Sequence, residues 1–190
     1  FADDIGGVFR DVAKSWPHIV HLFDSFGAFS SLNINSDKVV VIPWGDFEED
    51  DFEPCNKPLW LLLSRWASVK FSSKGKYLGF VLGPGATVAD SYGSALKKMY
   101  ARTKQWRGAN LGLFHRIQTW NVYIAPLFGY LDQLLTPSVE ITESIFKTLK
   151  RFVGGVHGWI NHHGLGLLRE WYGFPCEARM PHLSNIADQL

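Results

Sequence analysis

The chain has 190 residues and a mass of 21.5 kDa, with 46% hydrophobic and 19% charged residues; that length predicts one or at most two domains with a real core, and that composition excludes wholesale disorder. No apolar run approaches the roughly 18–20 residues of a membrane span, the strongest being Pro58-Leu59-Trp60-Leu61-Leu62-Leu63, and two cysteines, Cys55 and Cys176, cannot make a disulfide scaffold. The formal net charge of +1 conceals an asymmetry, because residues 1–53 carry 11 acids against 3 Lys/Arg while residues 54–190 carry 7 acids against 16. Six of the front acids fall in the stretch from Asp46 to Glu53, which reads as a solvated loop. The basic back is therefore the stronger signal, and it points to a polyanionic partner. The chain begins with Phe1 rather than Met, which predicts a processed product or a piece of something longer.

In chain order, Phe1-Ala2-Asp3-Asp4 followed by Ile5-Gly6-Gly7-Val8-Phe9 reads as two short strands joined by a tight turn that carries the acids. Ile19, Val20, Phe23 and Phe26 recur at helical spacing and predict an amphipathic helix over 16–29, with Pro17 in its first turn and Ser30-Ser31 at its end. Val39-Val40-Val41-Ile42 is β-branched throughout and reads as a buried strand ended by Pro43. Residues 66–71 alternate like a strand, and Lys76 to Leu82 reads as another, stopped by Gly83-Pro84-Gly85.

The remainder is predicted to be mostly helical. Asp90 or Ser91 is a suitable cap for a helix running to Arg107. A second helix spans 111–135 and bends near Pro126. A third opens at Pro137-Ser138, places Glu140 and Glu143 early and Lys147, Lys150 and Arg151 late, and stops at Gly154-Gly155, the arrangement a helix dipole favours. Residues 156–190 are rich in Gly and His, and their boundaries are indistinct.

Asp3 and Asp4 are the first candidates for chemistry. Two-metal phosphoryl transfer needs clustered carboxylates, because hard Mg²⁺ prefers oxygen ligands. An aromatic-x-Asp-Asp string arises by chance in roughly one chain of this length in twenty and is weak alone, since Asp-Asp can be just a polar turn. Here it heads an ordered series: the helix, then Leu32-Asn33-Ile34-Asn35-Ser36-Asp37-Lys38, then a strand, then Lys76-Tyr77-Leu78-Gly79, with Arg116-Ile117, Tyr130 and Pro137 beyond. In this order residues 1–153 resemble the C-terminal half of the reverse transcriptase palm, and the thumb, of non-LTR retrotransposons. Ser31 stands where the family has Gly, and Val39 where it has Ser or Thr.

The resemblance implies an α+β fold: the C-terminal part of a right-hand polymerase palm (β-hairpin, helix, strands) over 1–82, a helical thumb over 83–155, and a connector over 156–190. It implies RNA-directed DNA polymerase activity in the intact protein, with Mg²⁺ (or Mn²⁺) as cofactor. RNA template, DNA primer and deoxynucleotide triphosphates would be its partners, and no membrane is expected. Asp3 would bind the metals and Asp4 would support them. Lys38 would neutralise or protonate the leaving pyrophosphate, and Tyr77, Leu78 and Gly79 would form the primer grip. The family places another catalytic Asp and the fingers ahead of this box, so the chain alone is expected not to polymerise. Localisation would be intracellular, and nuclear for a retrotransposon.

The basic stretch stands without the resemblance. Residues 91–120 hold Lys97, Lys98, Arg102, Lys104, Arg107 and Arg116 and no acid. The first five are candidates for contacts to a nucleic-acid backbone, with Lys98 and Arg102 on one helix face, and the alternative is a solvated helix face. Trp106 and Trp120 could stack on bases, although core packing is the commoner use of such residues. His157, His162, His163 and Cys176 match no closed zinc spacing. A non-catalytic nucleic-acid-binding module, with Asp3-Asp4 as a structural turn, is the alternative to the polymerase reading, and a decayed retroelement relic is a third.

Overall fold

A computed structural model describes residues 5–44, 66–154 and 159–181. The fold is mixed α and β with helix predominant, and it divides into two compact units, Phe1–Ala86 and Thr87–Leu190. No helix among the described residues is long and apolar enough to cross a membrane.

The first unit is built on α1, Val12–Ser30. The helix begins four residues before the expected start because Asp11 caps it, its carboxylate accepting from the Lys14 N–H at 3.1 Å. Pro17 therefore lies inside the helix rather than in its first turn. Ser31 takes a left-handed conformation (φ 61°) and returns its N–H to the Gly27 carbonyl, closing the helix. Trp16 is buried edge-on to Trp66, centroids 5.8 Å apart, and Val12, Ile19, Val20 and Phe23 pack around them with Val69 and Phe71. Leu22, Phe26 and Phe29 lie at the edge of this apolar stripe and are exposed. The strands are short. Val40–Val41 (β1) pairs in parallel with Lys70–Phe71 (β2), so the run expected to be a four-residue buried strand contributes two residues, of which Val40 is exposed. Pro43, without an N–H, cannot extend the ladder. Gly75–Tyr77 (β3) and Phe80–Leu82 (β4) form an antiparallel hairpin, where a single strand over Lys76 to Leu82 is expected from the sequence. Of the hairpin expected over 1–9, residues 1–4 lie outside the described part. Residues 5–9 are irregular, with Ile5 and Val8 exposed and Gly6-Gly7 a poor strand pair.

The second unit is helical. Its first helix, α2, is Val88–Arg107. Thr87 is the cap, and Asp90 completes a capping box from the third position. This corrects the expected start at Asp90 or Ser91. The predicted bent helix resolves into α3 (Leu113–Thr119), a π turn (Trp120–Ile124) and α4 (Pro126–Asp132). Pro126 removes one N–H from the ladder, and the Ala125 N–H reaches back five residues to the Trp120 carbonyl at 2.8 Å. Helix α5, Val139–Val153, follows its sequence signals, from the Ser138 cap to the Gly154 stop. Ile141, Ile145, Leu149 and Phe152 make its buried stripe, each contributing about 1.5–3 kcal/mol of burial. They meet Tyr92, Ala95 and Met99 of α2 and Ile117, Trp120, Ile124 and Phe128 in a single core. Arg116 spans α3 and α5: its guanidinium donates to the carbonyls of Leu111 (2.8 Å) and Val153 (2.9 Å), where the α5 dipole favours a cation. Gly154 adopts φ 73°, ψ −160°, a region open essentially to glycine alone, and a Cβ there would strike that guanidinium.

Two five-residue helices, α6 (His162–Gly166) and α7 (Leu168–Tyr172), complete the unit. Beyond them the chain returns across the π turn. Trp120 Nε1 donates to the Arg179 carbonyl at 3.0 Å. The Asn121 amide donates to Glu177 at 2.7 Å and accepts from the Arg179 N–H at 2.8 Å.

Candidate nucleic-acid interface

The five cations singled out by charge all lie on α2. Its core face carries Tyr92, Ala95 and Met99, so positions half a turn away face water. Lys97 and Lys104, seven residues apart, fall within about 20° of each other on an α-helix and share a stripe with Ala101. Lys98 and Gln105 form the adjoining stripe by the same spacing. All of these side chains are exposed, as is Arg107 on the flank towards Tyr100. Arg102 differs: it is half-buried, and its guanidinium donates to the backbone carbonyl of Tyr123 in the π turn. Lys98 and Arg102 share a face as expected, but only Lys98 is directed wholly to solvent.

No acid lies between Asp90 and Asp132 in the sequence. Asp132 is itself buried, 2% exposed, and burial pushes its carboxyl above the usual range against the opposing pull of the Tyr92 hydroxyl bond. The Tyr92 hydroxyl is raised by its own burial and then by Asp132. At the start of α5, a hydrogen bond from Ser138 draws Glu140 below the ordinary carboxylate range. The outer face of α2 beyond Asp90 is therefore uniformly cationic, which suits an extended polyanion.

Of the two tryptophans proposed for stacking, Trp120 is closed off and Trp106 is partly covered. Trp120 is fully buried against Phe152, at 6.3 Å between centroids, because the apolar face of the π turn points into the core. Trp106 is half-buried and covered by Tyr123 at 5.4 Å with 30° between planes. Tyr123 itself is 47% exposed. Sequence reasoning missed it; the only signal was Pro126 three residues on, marking a disturbed helix.

Asp3 and Asp4 lie outside the described residues. Lys38 ends a 3₁₀ turn, Ser36–Lys38, and is exposed just ahead of β1. Tyr77 ends β3 opposite Phe80, and Leu78 and Gly79 are the bend of the β3–β4 hairpin: Leu78 has φ 47° and Gly79 φ 91°, both positive as in a tight two-residue turn. Gly79 therefore serves turn geometry rather than a strand bulge. Gly6 passes against the Tyr77 ring, where an added Cβ would lie 3.0 Å from Cζ and from Oη. His157 is outside the described residues, and among the described residues no three His, Cys, Asp or Glu side chains converge as a metal site. Comparison with protein-family models, with curated proteins and with solved structures finds no match for this chain.

Proposed function

We propose that this chain supplies the C-terminal part of the palm and the helical thumb of a retrotransposon-type reverse transcriptase, and that α2 lies along the phosphate backbone of the template–primer. The reading rests on the ordered motifs of the sequence. The single structural observation that favours it is the outer face of α2, where Lys97, Lys98, Lys104 and Arg107 are exposed and no acid follows Asp90 on the helix. Nucleotidyl transfer requires the primer terminus to meet the catalytic carboxylates, the part that Asp3 and Asp4 would play.

Two carboxylates are a fitting donor set for Mg²⁺. Asp3 would hold it and Asp4 would support the site. When bound, the metal lowers the pKa of the primer 3′-hydroxyl and offsets charge on the leaving pyrophosphate. The chain's own residues bind and orient: Lys38 faces the departing negative charge, Tyr77, Leu78 and Gly79 hold the primer, and Lys97, Lys98, Lys104 and Arg107 engage phosphates.

The test is Mg²⁺-dependent primer extension on RNA by a polypeptide extended ahead of Phe1 to include the family's remaining catalytic Asp. Asp3→Ala is expected to abolish extension, a loss of at least about 10³-fold for a metal ligand of this kind, while template–primer affinity stays within about threefold. Extension that survives Asp3→Ala removes the polymerase reading and leaves the non-catalytic binding module, for which the α2 face alone argues.

A further inference from the structure

We infer that Tyr123 is a stacking platform for an unpaired nucleobase, so that the basic edge of α2 takes single-stranded nucleic acid in addition to duplex backbone; the inference rests on the nucleic-acid reading of α2. Tyr123 is held through its backbone and along one side of its ring. It sits in the π turn Trp120–Ile124, whose extra residue turns its side chain away from the core that takes Trp120 and Ile124. Its carbonyl accepts from the Arg102 guanidinium. One side of its ring rests on Trp106, centroids 5.4 Å apart and planes at 30°. Nearly half of the residue nevertheless remains open to solvent, at 47%, beside Val122, which is more exposed still.

An aromatic ring that rests on an indole, on a backbone pinned by a cation, and that stays nearly half exposed is a prepared surface: less side-chain freedom remains to be lost when a flat partner settles on it. The surroundings specify the partner. Arg102 ties Tyr123 to the edge of α2 that carries Lys98 one turn earlier and Gln105 one turn later, and no acid lies between Asp90 and Asp132. A cationic edge tracking phosphates with a π face beside it is the combination that binds single strands with little sequence preference. Paired bases are already stacked on their neighbours, so a duplex offers this ring no face.

The test uses the 190-residue chain with a fluorescent 12-nucleotide oligothymidylate and a duplex of the same length, read by anisotropy at fixed salt. Tyr123→Leu, which keeps bulk on Trp106 but removes the π face, is expected to weaken oligothymidylate binding about tenfold and to leave duplex affinity within twofold. Tyr123→Phe is expected to restore single-strand affinity. Equal single-strand affinity for the Leu, Phe and parent proteins overturns the platform, and so does an equal loss on duplex. A triple change of Lys97, Lys98 and Lys104 to Ala separates this inference from the reading beneath it: if the triple variant loses binding and Tyr123→Leu does not, the basic face stands and the platform falls. If the parent protein binds neither probe, both fall. Should Tyr123→Leu fail to fold, photocrosslinking of 5-bromodeoxyuridine oligonucleotide to the parent protein decides. Attachment at Tyr123 supports the platform, and attachment confined to other peptides overturns it.

Discussion

Tyr92 and Asp132 meet between α2 and α4 with one hydroxyl proton and two acceptors to share. Tyr92 Oη lies 2.5 Å from Asp132 Oδ1 and 3.1 Å from the Leu135 carbonyl, and both side chains are buried. Burial raises the pKa of each group. Between the ordinary carboxylate pKa of about 4 and the raised value of folded Asp132, the folded state binds more protons than the unfolded one. Stability therefore falls as pH rises through that window and levels off above it. Tyr92 repeats the sign above about pH 10, where the unfolded phenol ionises and the folded one does not. Glu140, held below its usual range, acts in the opposite sense, contributing stability that is lost on acidification. We expect the urea midpoint of the parent chain to decline from about pH 4 upward and Asp132→Asn to flatten that decline. Tyr92→Phe should cost about 1–3 kcal/mol by removing the hydroxyl that donates to the buried Asp132 carboxyl. A midpoint that rises over the same window in the parent, or an Asn variant with an unchanged slope, would contradict the assignment.

The β3–β4 hairpin carries an unusual choice at its bend. Two-residue turns with positive φ at both positions favour Asn-Gly, and this one is Leu78-Gly79 with φ 47° and 91°. A left-handed leucine costs about 1 kcal/mol relative to asparagine, and its side chain is 47% exposed, so packing returns little. Leu78→Asn is therefore expected to raise stability by about 1 kcal/mol in thermal unfolding and, under the proposed function, to weaken primer extension by the extended enzyme. A destabilised variant would show instead that Leu78 packs as core. The same bend explains why the element was misread. The apolar run from Tyr77 to Leu82 reads as one strand because composition is silent on the sign of φ, and Gly79 is the trace of the reversal. Helix α5 was legible from end to end because cap, dipole, stripe and stop are all local. The start of α2 was not, because Thr87, Asp90 and Ser91 are all capping residues and the reciprocal Thr87–Asp90 bond is what selects among them. The cations of the interface were legible as charge. The engagement of Arg102 with Tyr123, and the exposure of Tyr123 beside Trp106, arise from how α2 meets the π turn, which no local pattern encodes.

At the scale of the whole chain, the charge asymmetry and the division into units run together. The second unit has a self-contained core in which α2, α4 and α5 meet and across which Glu177 to Met180 is fastened. The described core of the first unit is small, centred on Trp16, Trp66 and Val69, and its helix leaves Leu22, Phe26 and Phe29 to solvent. Residues 87–190 expressed alone are therefore expected to unfold cooperatively, and the full chain to lose its first unit at lower denaturant. The isolated second unit should also retain the polyanion affinity. Four exposed cations, Lys97, Lys98, Lys104 and Arg107, can each displace one counterion from duplex DNA, giving a slope of about −4 for log affinity against log salt. Arg102 is committed to Tyr123 and adds nothing to that count. Each Lys→Ala change should reduce the slope by about one and weaken binding alike for every sequence, since phosphate contacts carry no base information. The full chain and residues 87–190 should give the same slope. A slope steeper by two or more for the full chain would transfer phosphate contacts to Lys38, Lys70, Lys74 or Lys76 of the first unit, and a slope near zero for both would remove α2 as an interface.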